Sequence, residues 1–231
     1  MQQRDKILAG ALAAAFAILL FWPGAMDAFI SATKSRPLFM SFMKFAVLAT
    51  IGECIALRIT TGVYNRPGFG VLPKFVLWGL LGIMCKIAFS VFGAGTPNLL
   101  VELGFSLDPD RAAWGFGSRF LTALSVSVLL NTLFAPILMV SHKIGDIHIE
   151  RTGGTLRGFF SRPDMASLFK GVNWDSMWSF VLKKTVPMFW IPAHTITFLL
   201  PGHFQVLFAA LLSIALGVIL AFAGLRAQKQ A

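Results

Sequence analysis

The sequence predicts an all-α fold, a polytopic bundle of about six transmembrane helices with both termini on the cytoplasmic side. Three observations carry that expectation. Six stretches are too apolar for a water-soluble core, and only 13% of the 231 residues are charged against 56% hydrophobic. The mean hydropathy is +0.74, whereas soluble domains carry about 25% charged residues. Finally, the basic residues between the apolar stretches alternate sides. The chain reads as a single integral membrane domain, 1–231.

The spans fall at residues 7–22, 38–59, 75–92, 113–140, 185–200 and 204–224. About 20 apolar residues, range 17–25, cross about 30 Å of hydrocarbon. The second, fourth and sixth stretches meet that length, and the others lean on interfacial flanks. Orientation follows from the loops. One side collects Arg4, Lys6, Arg58, Arg66, Lys74, Lys143, Arg151, Arg157, Arg162, Lys170, Lys183, Lys184, Arg226 and Lys229. The other has Lys34, Arg36 and Arg111 alone. The positive-inside rule makes the richer side cytoplasmic. The first span has a basic start and only a weak cleavage site after it, Trp22-Pro23-Gly24-Ala25, so it reads as a retained anchor rather than a signal peptide.

A net charge of +10 would ordinarily suggest nucleic acid. No basic run or Arg-rich helix tracks phosphates here, and nucleic acid is not an expected partner. The expected partners are the bilayer and small solutes, and a homo-oligomer is compatible with this class. Cys54 and Cys85 lie inside spans and read as small apolar residues. The stretch 142–175 is polar and reads as a cytoplasmic loop. Within it Ser161-Arg162-Pro163-Asp164 resembles a helix start capped by Ser161, leading into an interfacial helix over 165–182. Residues 23–34 form a second, weaker interfacial piece.

Ionisable residues inside hydrocarbon are functional candidates. Lys44, Lys86 and Arg119 fall at one depth on three spans, about 9–10 Å below the outer boundary at 1.5 Å per residue. They form either an anion-attracting collar or cations snorkelling to the headgroups. Glu53 is the acid well inside a span and needs a partner: Arg58, Lys184 or Lys86. It serves either a structural ion pair or a pore. Span five carries Pro187, Pro192 and Pro201 with His194, Thr195 and Thr197. The polar groups either line a helix break or bond within the protein, the threonines to their own helix and His194 to a neighbour. Asn131 and Pro136 make a weaker break in span four. His142, Asp146, His148 and Glu150 cluster without a zinc motif, and no nucleophile elbow, Walker loop or cofactor fingerprint occurs. Neither a metal, a cofactor nor an enzymatic activity is expected.

Arg36-Pro37-Leu38 followed by Gly52-Glu53-x-x-Ala56 resembles the opening of the Mpv-seventeen / twenty-two-kilodalton peroxisomal membrane protein family. The block Trp190-Ile-Pro192-Ala-His194-Thr195-Ile-Thr197-Phe198-Leu-Leu-Pro201 resembles its C-terminal signature, and Trp78-Gly79 with Gly82 its glycine-rich helix. Glu53 stands where the family has Asp, Leu57 where it has Gln and Thr197 where it has Asn. One extra residue separates Trp190 from Pro192, and the phenylalanine-to-proline spacing is one shorter. The extra N-terminal span and longer middle loop point to a bacterial relative. The resemblance implies a small multi-spanning protein of a bacterial inner membrane, or of a mitochondrial or other organellar membrane, that passes small metabolites with weak selectivity. Three functions are therefore expected in descending order: a channel or pore for small solutes, anions among them; a proton-coupled secondary transporter; and a non-transport protein organising membrane partners through 142–175.

Overall fold

The computed structural model describes residues 3–230, with side chains for all but 223, 224 and 226–230. Arg226 and Lys229, counted above for orientation, lie outside those described side chains. The fold is all-α. Four helices are long and apolar enough to cross a membrane, and five if one bent pair counts as a single span. The sequence suggested six.

Helices α1 (Gln3–Phe21) and α2 (Ala25–Ser35) form that bent pair, at 91°. Gly24, at φ 78, makes the corner. Asp5 of α1 pairs with Arg58 at 2.9 Å, near the end of α3 (Pro37–Thr61), while Thr33 of α2 meets Lys44 near the start of α3. The α1–α2 unit therefore runs the height of α3 in the opposite direction. Helix α4 (Val71–Glu102) is longer than its expected span, because Pro73 in the first turn and the apolar run beyond Phe92 both suit a helix.

The fourth span is α5 (Phe116–Leu129), one π turn over Leu130–Phe134, and α6 (Ala135–Arg151), together one rod from Phe116 to Arg151. Pro136 does not break it; the π turn just before the proline absorbs the mismatch, as such bulges do. Residues 142–151 are likewise helix and not loop. Their polarity is amphipathic: Ile144 and Ile149 are buried while His142 and Asp146 share another face.

The remaining connection is docked on the bundle. Helix α7 (Leu156–Phe159) packs through Phe159 near Leu77 and Ile149. The expected helix over 165–182 is interrupted. α8 (Met165–Lys170) ends at Gly171, and α9 (Trp174–Ser176) restarts with Asn173 capping the Ser176 N–H at 2.9 Å. Ser161 is not the cap of α8. Asp164 accepts from the Ser167 N–H at 3.1 Å, while the Ser161 hydroxyl donates to the Gly158 carbonyl. Leu168 packs with Ile144, Val172 and Met177, so α8 lies against α6.

From α9 the chain winds as a π-helix over Met177–Trp190 and tightens into α10 (Ile191–Leu199). Pro187 sits within the π segment and Pro192 in the first turn of α10. The expected fifth span is thus wound through without a break. Its lysines, prolines and His194 make it less apolar than the four qualifying helices. Helix α11 (Gly202–Gln230) closes the bundle against α3.

Small residues let the backbones approach. Gly79 and Gly82 of α4 face Phe42, Phe45 and the Ser41 carbonyl, and Gly52 of α3 faces Ile214 of α11. Phe45, Ala49, Cys85, Phe89, Leu130 and Ala210 fill the centre. Cys85 is buried there and Cys54 half-buried, both as free thiols. Gly70 and Gly154, at φ 72 and 68, press loop against loop at the end that gathers 62–70 and 151–173. The opposite end gathers 34–36, 103–115 and 200–203. Large apolar side chains such as Phe21, Phe116, Trp178 and Met188 remain exposed around the perimeter, as lipid contact requires.

Candidate functional site

A cavity of about 270 Å³ opens between α3, α4, the α5–α6 rod, the π segment with α10, and α11. Its wall is largely aromatic and aliphatic, with a polar group set at either end.

At the loop-rich end the group is built around Glu53. Lys74 Nζ lies 2.5 Å from Glu53 Oε2 and 2.5 Å from Asp146 Oδ1. The Trp78 indole N–H donates to Glu53 Oε1 at 2.6 Å, and His142 Nε2 lies 3.1 Å from that oxygen and 3.4 Å from Asp146 Oδ2. Trp78 and His142 also stack, with ring centroids 4.2 Å apart. Each residue arrives for a local reason. Lys74 and Trp78 are one turn apart at the start of α4; His142 and Asp146 are one turn apart near the end of α6; Glu53 comes from α3. Two carboxylates share one ammonium, which neutralises charge that would otherwise be costly to bury. Glu53 and His142 face the cavity.

Near the other end, Asn131 sits in the π turn and is almost fully buried. Its side-chain amide nitrogen lies 3.0 Å from His194 Nδ1 and donates to the Ser127 carbonyl at 2.8 Å. The Ser127 hydroxyl donates to the Ile191 carbonyl at 2.7 Å, tying α5 to α10. His194 packs among Trp190, Phe89 and Phe198. Thr195 and Thr197 donate to the Ile191 and Ala193 carbonyls of their own helix, at 2.8 and 2.9 Å, and are buried away from the cavity. The wider π turn is what lets Asn131 reach across to α10. Replacing Asn131 with leucine will strand the Nδ1 contact and lower stability by roughly 1–3 kcal/mol, measurable by thermal unfolding in mild detergent. A midpoint unchanged from wild type would show that the pair is dispensable.

Of the residues singled out from sequence, Glu53, Cys85, Asn131, His142 and His194 line this cavity. The three span cations do not line it. Lys44 turns away to the Thr33 hydroxyl at 2.9 Å and the His203 carbonyl at 3.5 Å, over the Phe29 ring. Lys86 reaches Ser90 on its own helix at 3.1 Å. Arg119 is exposed in a shallow depression with Arg111, Trp114 and Gln205 at the opposite end. The partner of Glu53 is Lys74, not Arg58, Lys184 or Lys86; Arg58 is engaged by Asp5. Sequence reasoning named Asp146 only in a cluster given no role, Trp78 only in the family resemblance and Lys74 only as a loop charge; the i,i+4 spacings 142/146 and 74/78 were the available signal for their meeting.

Glu53, His142 and Asp146 also offer three donor atoms within 4.8 Å of one another, a spread compatible with a metal ion. Lys74 already places a cationic nitrogen against both carboxylates, so the cluster is electrostatically served by the chain itself. Compared with known proteins, the chain matches no family model, no curated protein and no solved structure.

Proposed function

We propose that this membrane protein passes small solutes across the bilayer, with the central cavity as the passage and the Glu53–Lys74–Asp146–His142 cluster as its floor. The observation that carries the reading is a cavity lined by the long apolar helices, with Glu53 and His142 at one end and His194 at the other. Intramembrane ionisable residues that face a cavity are functional-site candidates by default. The floor is held by ion pairs and hydrogen bonds between three helices, bonds that a modest shift of α4 or α6 would exchange. The motif resemblance to the Mpv-seventeen family supports the same class, with a bacterial inner membrane as the expected location and the loop-rich, basic end facing the cytoplasm.

The passage favours no anion collar: Lys44, Lys86 and Arg119 stand off the wall, and no Lys or Arg lines the cavity among the described residues. Proton coupling is the second reading, favoured by His142 lying between two carboxylates. Purified protein in proteoliposomes and planar bilayers tests both. A pore gives unsaturable flux and step conductance. A coupled carrier gives saturable, pH-dependent uptake that His142→Gln makes pH-independent. Folded protein that passes neither ions nor small uncharged solutes in either assay would remove the transport reading.

A further inference from the structure

We infer that the shallow depression bordered by Arg111 and Arg119 is a binding site for a phosphate group, gripped by the two guanidiniums. A phospholipid headgroup and a free phosphate are the two sources of that group, and the test separates them. The inference needs only the place of the bundle in a membrane and is independent of the transport reading.

The depression has a volume of about 450 Å³. Arg111 comes from the short turn before α5 and Arg119 from the end of the first turn of α5. Both side chains are exposed, and neither forms an ion pair among the described residues. Each guanidinium is therefore free to turn toward a group seated between them. The acids nearest in sequence are spent on their own turn: Asp108 accepts from the Asp110 N–H at 2.8 Å and Asp110 from the Ala112 N–H at 2.9 Å. Among the described residues no Asp or Glu lines the depression. Arg119 also stands at the positive end of the α5 dipole, with no acid in that turn to offset it. Lys86 adds positive charge behind the rim, through its 3.1 Å hydrogen bond to the Ser90 hydroxyl. An anion is the partner this cluster lacks.

A phosphate suits two arginines better than a carboxylate does. One guanidinium fork occupies both oxygens of a carboxylate, whereas a phosphate has oxygens left for a second fork. The Ser90 hydroxyl is a further donor on the rim, as is the Gln205 amide, which spends one of its two N–H bonds on the Leu200 carbonyl at 3.1 Å. The rest of the wall is apolar, formed by Phe89, Val126, Phe198 and Leu199. Trp114 and the start of the apolar rod at Phe116 put the rim at headgroup level, where tryptophans gather. A headgroup phosphate with the first carbons of its acyl chains satisfies both parts of the wall, and a free phosphate only the rim. A lone arginine snorkelling to the membrane surface needs neither an apolar floor nor a second arginine.

The test is native mass spectrometry of the purified full chain in a nonionic detergent, titrated with phosphatidylglycerol, with the diacylglycerol of the same chains, and with inorganic phosphate. Phosphatidylglycerol is expected to give one saturable adduct per chain, and diacylglycerol none. Arg111→Gln and Arg119→Gln should each weaken the adduct by roughly threefold to tenfold, as the loss of an exposed charge-assisted contact does, and the double variant by at least roughly tenfold. Arg36→Gln removes an exposed charge at the same end that does not border the depression, and should leave the adduct unchanged. Gly93 borders the depression and nothing lies within 4 Å of a Cβ built there, so Gly93→Phe fills the space and abolishes the adduct with both arginines in place. Inorganic phosphate that displaces the lipid in the same concentration range assigns the site to free phosphate; inorganic phosphate that fails to do so assigns it to the lipid. Wild-type affinity in the double arginine variant, an equal loss in Arg36→Gln, or a diacylglycerol adduct as strong as that of phosphatidylglycerol overturns the inference.

Discussion

Lys74→Met will destabilise the protein by about 3 kcal/mol, the low end of what breaking a buried ion pair costs. The magnitude follows from what is left behind. Lys74 is the ammonium that touches both Glu53 and Asp146, and its side chain is 9% exposed against 21% and 22% for the two acids. Without it two carboxylates face one another across a partly buried site, with His142 as the remaining positive candidate. Water reaches the acids somewhat, which holds the effect at the lower end of the range. Methionine preserves the stem that packs in the first turns of α4, so the loss is electrostatic and not a cavity. Glu53→Gln in the same background removes one of the stranded charges and recovers part of the loss. The double-mutant cycle should then return a coupling of roughly 0.5–3 kcal/mol. Equilibrium unfolding in mild detergent measures both. A single Lys74→Met variant within 0.5 kcal/mol of wild type would mean that the cluster is an exposed network of little weight. In the transport reading the same variant loosens the cavity floor, and solute leak through proteoliposomes should rise.

The fate of Lys74 also shows where the sequence ran out. Periodicity and hydropathy are local properties, and they identified the long helices and singled out Glu53 as an acid that needed a partner. They counted Lys74 as a loop charge, because the third apolar stretch was drawn from residue 75. Yet Pro73 suits the first turn of a helix, and α4 begins at Val71, ahead of the apolar stretch. His142 and Asp146 were lost the same way. Polar residues after an apolar run look like an exit from the membrane, but at i,i+4 they also fit one face of a continuing helix. The π turn at Leu130–Phe134 was signalled only by Asn131 and Pro136, which read as a break, and without the turn the Asn131–His194 contact cannot be drawn. The single depth assigned to Lys44, Lys86 and Arg119 came from residue counting alone. Whether they converge could not be read that way, because a level along the bundle leaves the rotation of each helix free, and the three point to different neighbours. The pairing of Lys44 with Thr33 depends on the 91° turn between α1 and α2, a tertiary fact.

Gly82→Leu is expected to have the other large effect, disrupting the α3–α4 interface on which the site depends. A Cβ at position 82 would lie 2.6 Å from the Ser41 carbonyl oxygen and 2.6 Å from Phe45 Cβ. One of those neighbours is backbone and the other the root of a packed core side chain, so neither yields by rotamer change. Alanine alone should cost about 1–3 kcal/mol as an overpacked core does, and leucine more, with loss of a folded species in detergent. The control lies in the same helix. Nothing approaches a Cβ built at Gly93, so Gly93→Ala should be neutral, or stabilising by roughly 0.5–1 kcal/mol through helix propensity. If Gly82→Ala and Gly93→Ala unfold alike, the close approach of α3 and α4 is not a constraint. The consequence reaches the cavity because these two helices bring Glu53 to Lys74 and Trp78 at 2.5 and 2.6 Å. Spreading them by even an ångström stretches both contacts beyond strong hydrogen-bond length. In Gly82→Ala the Trp78 fluorescence and the Lys74 coupling energy should therefore change together with stability, whereas in Gly93→Ala neither should move.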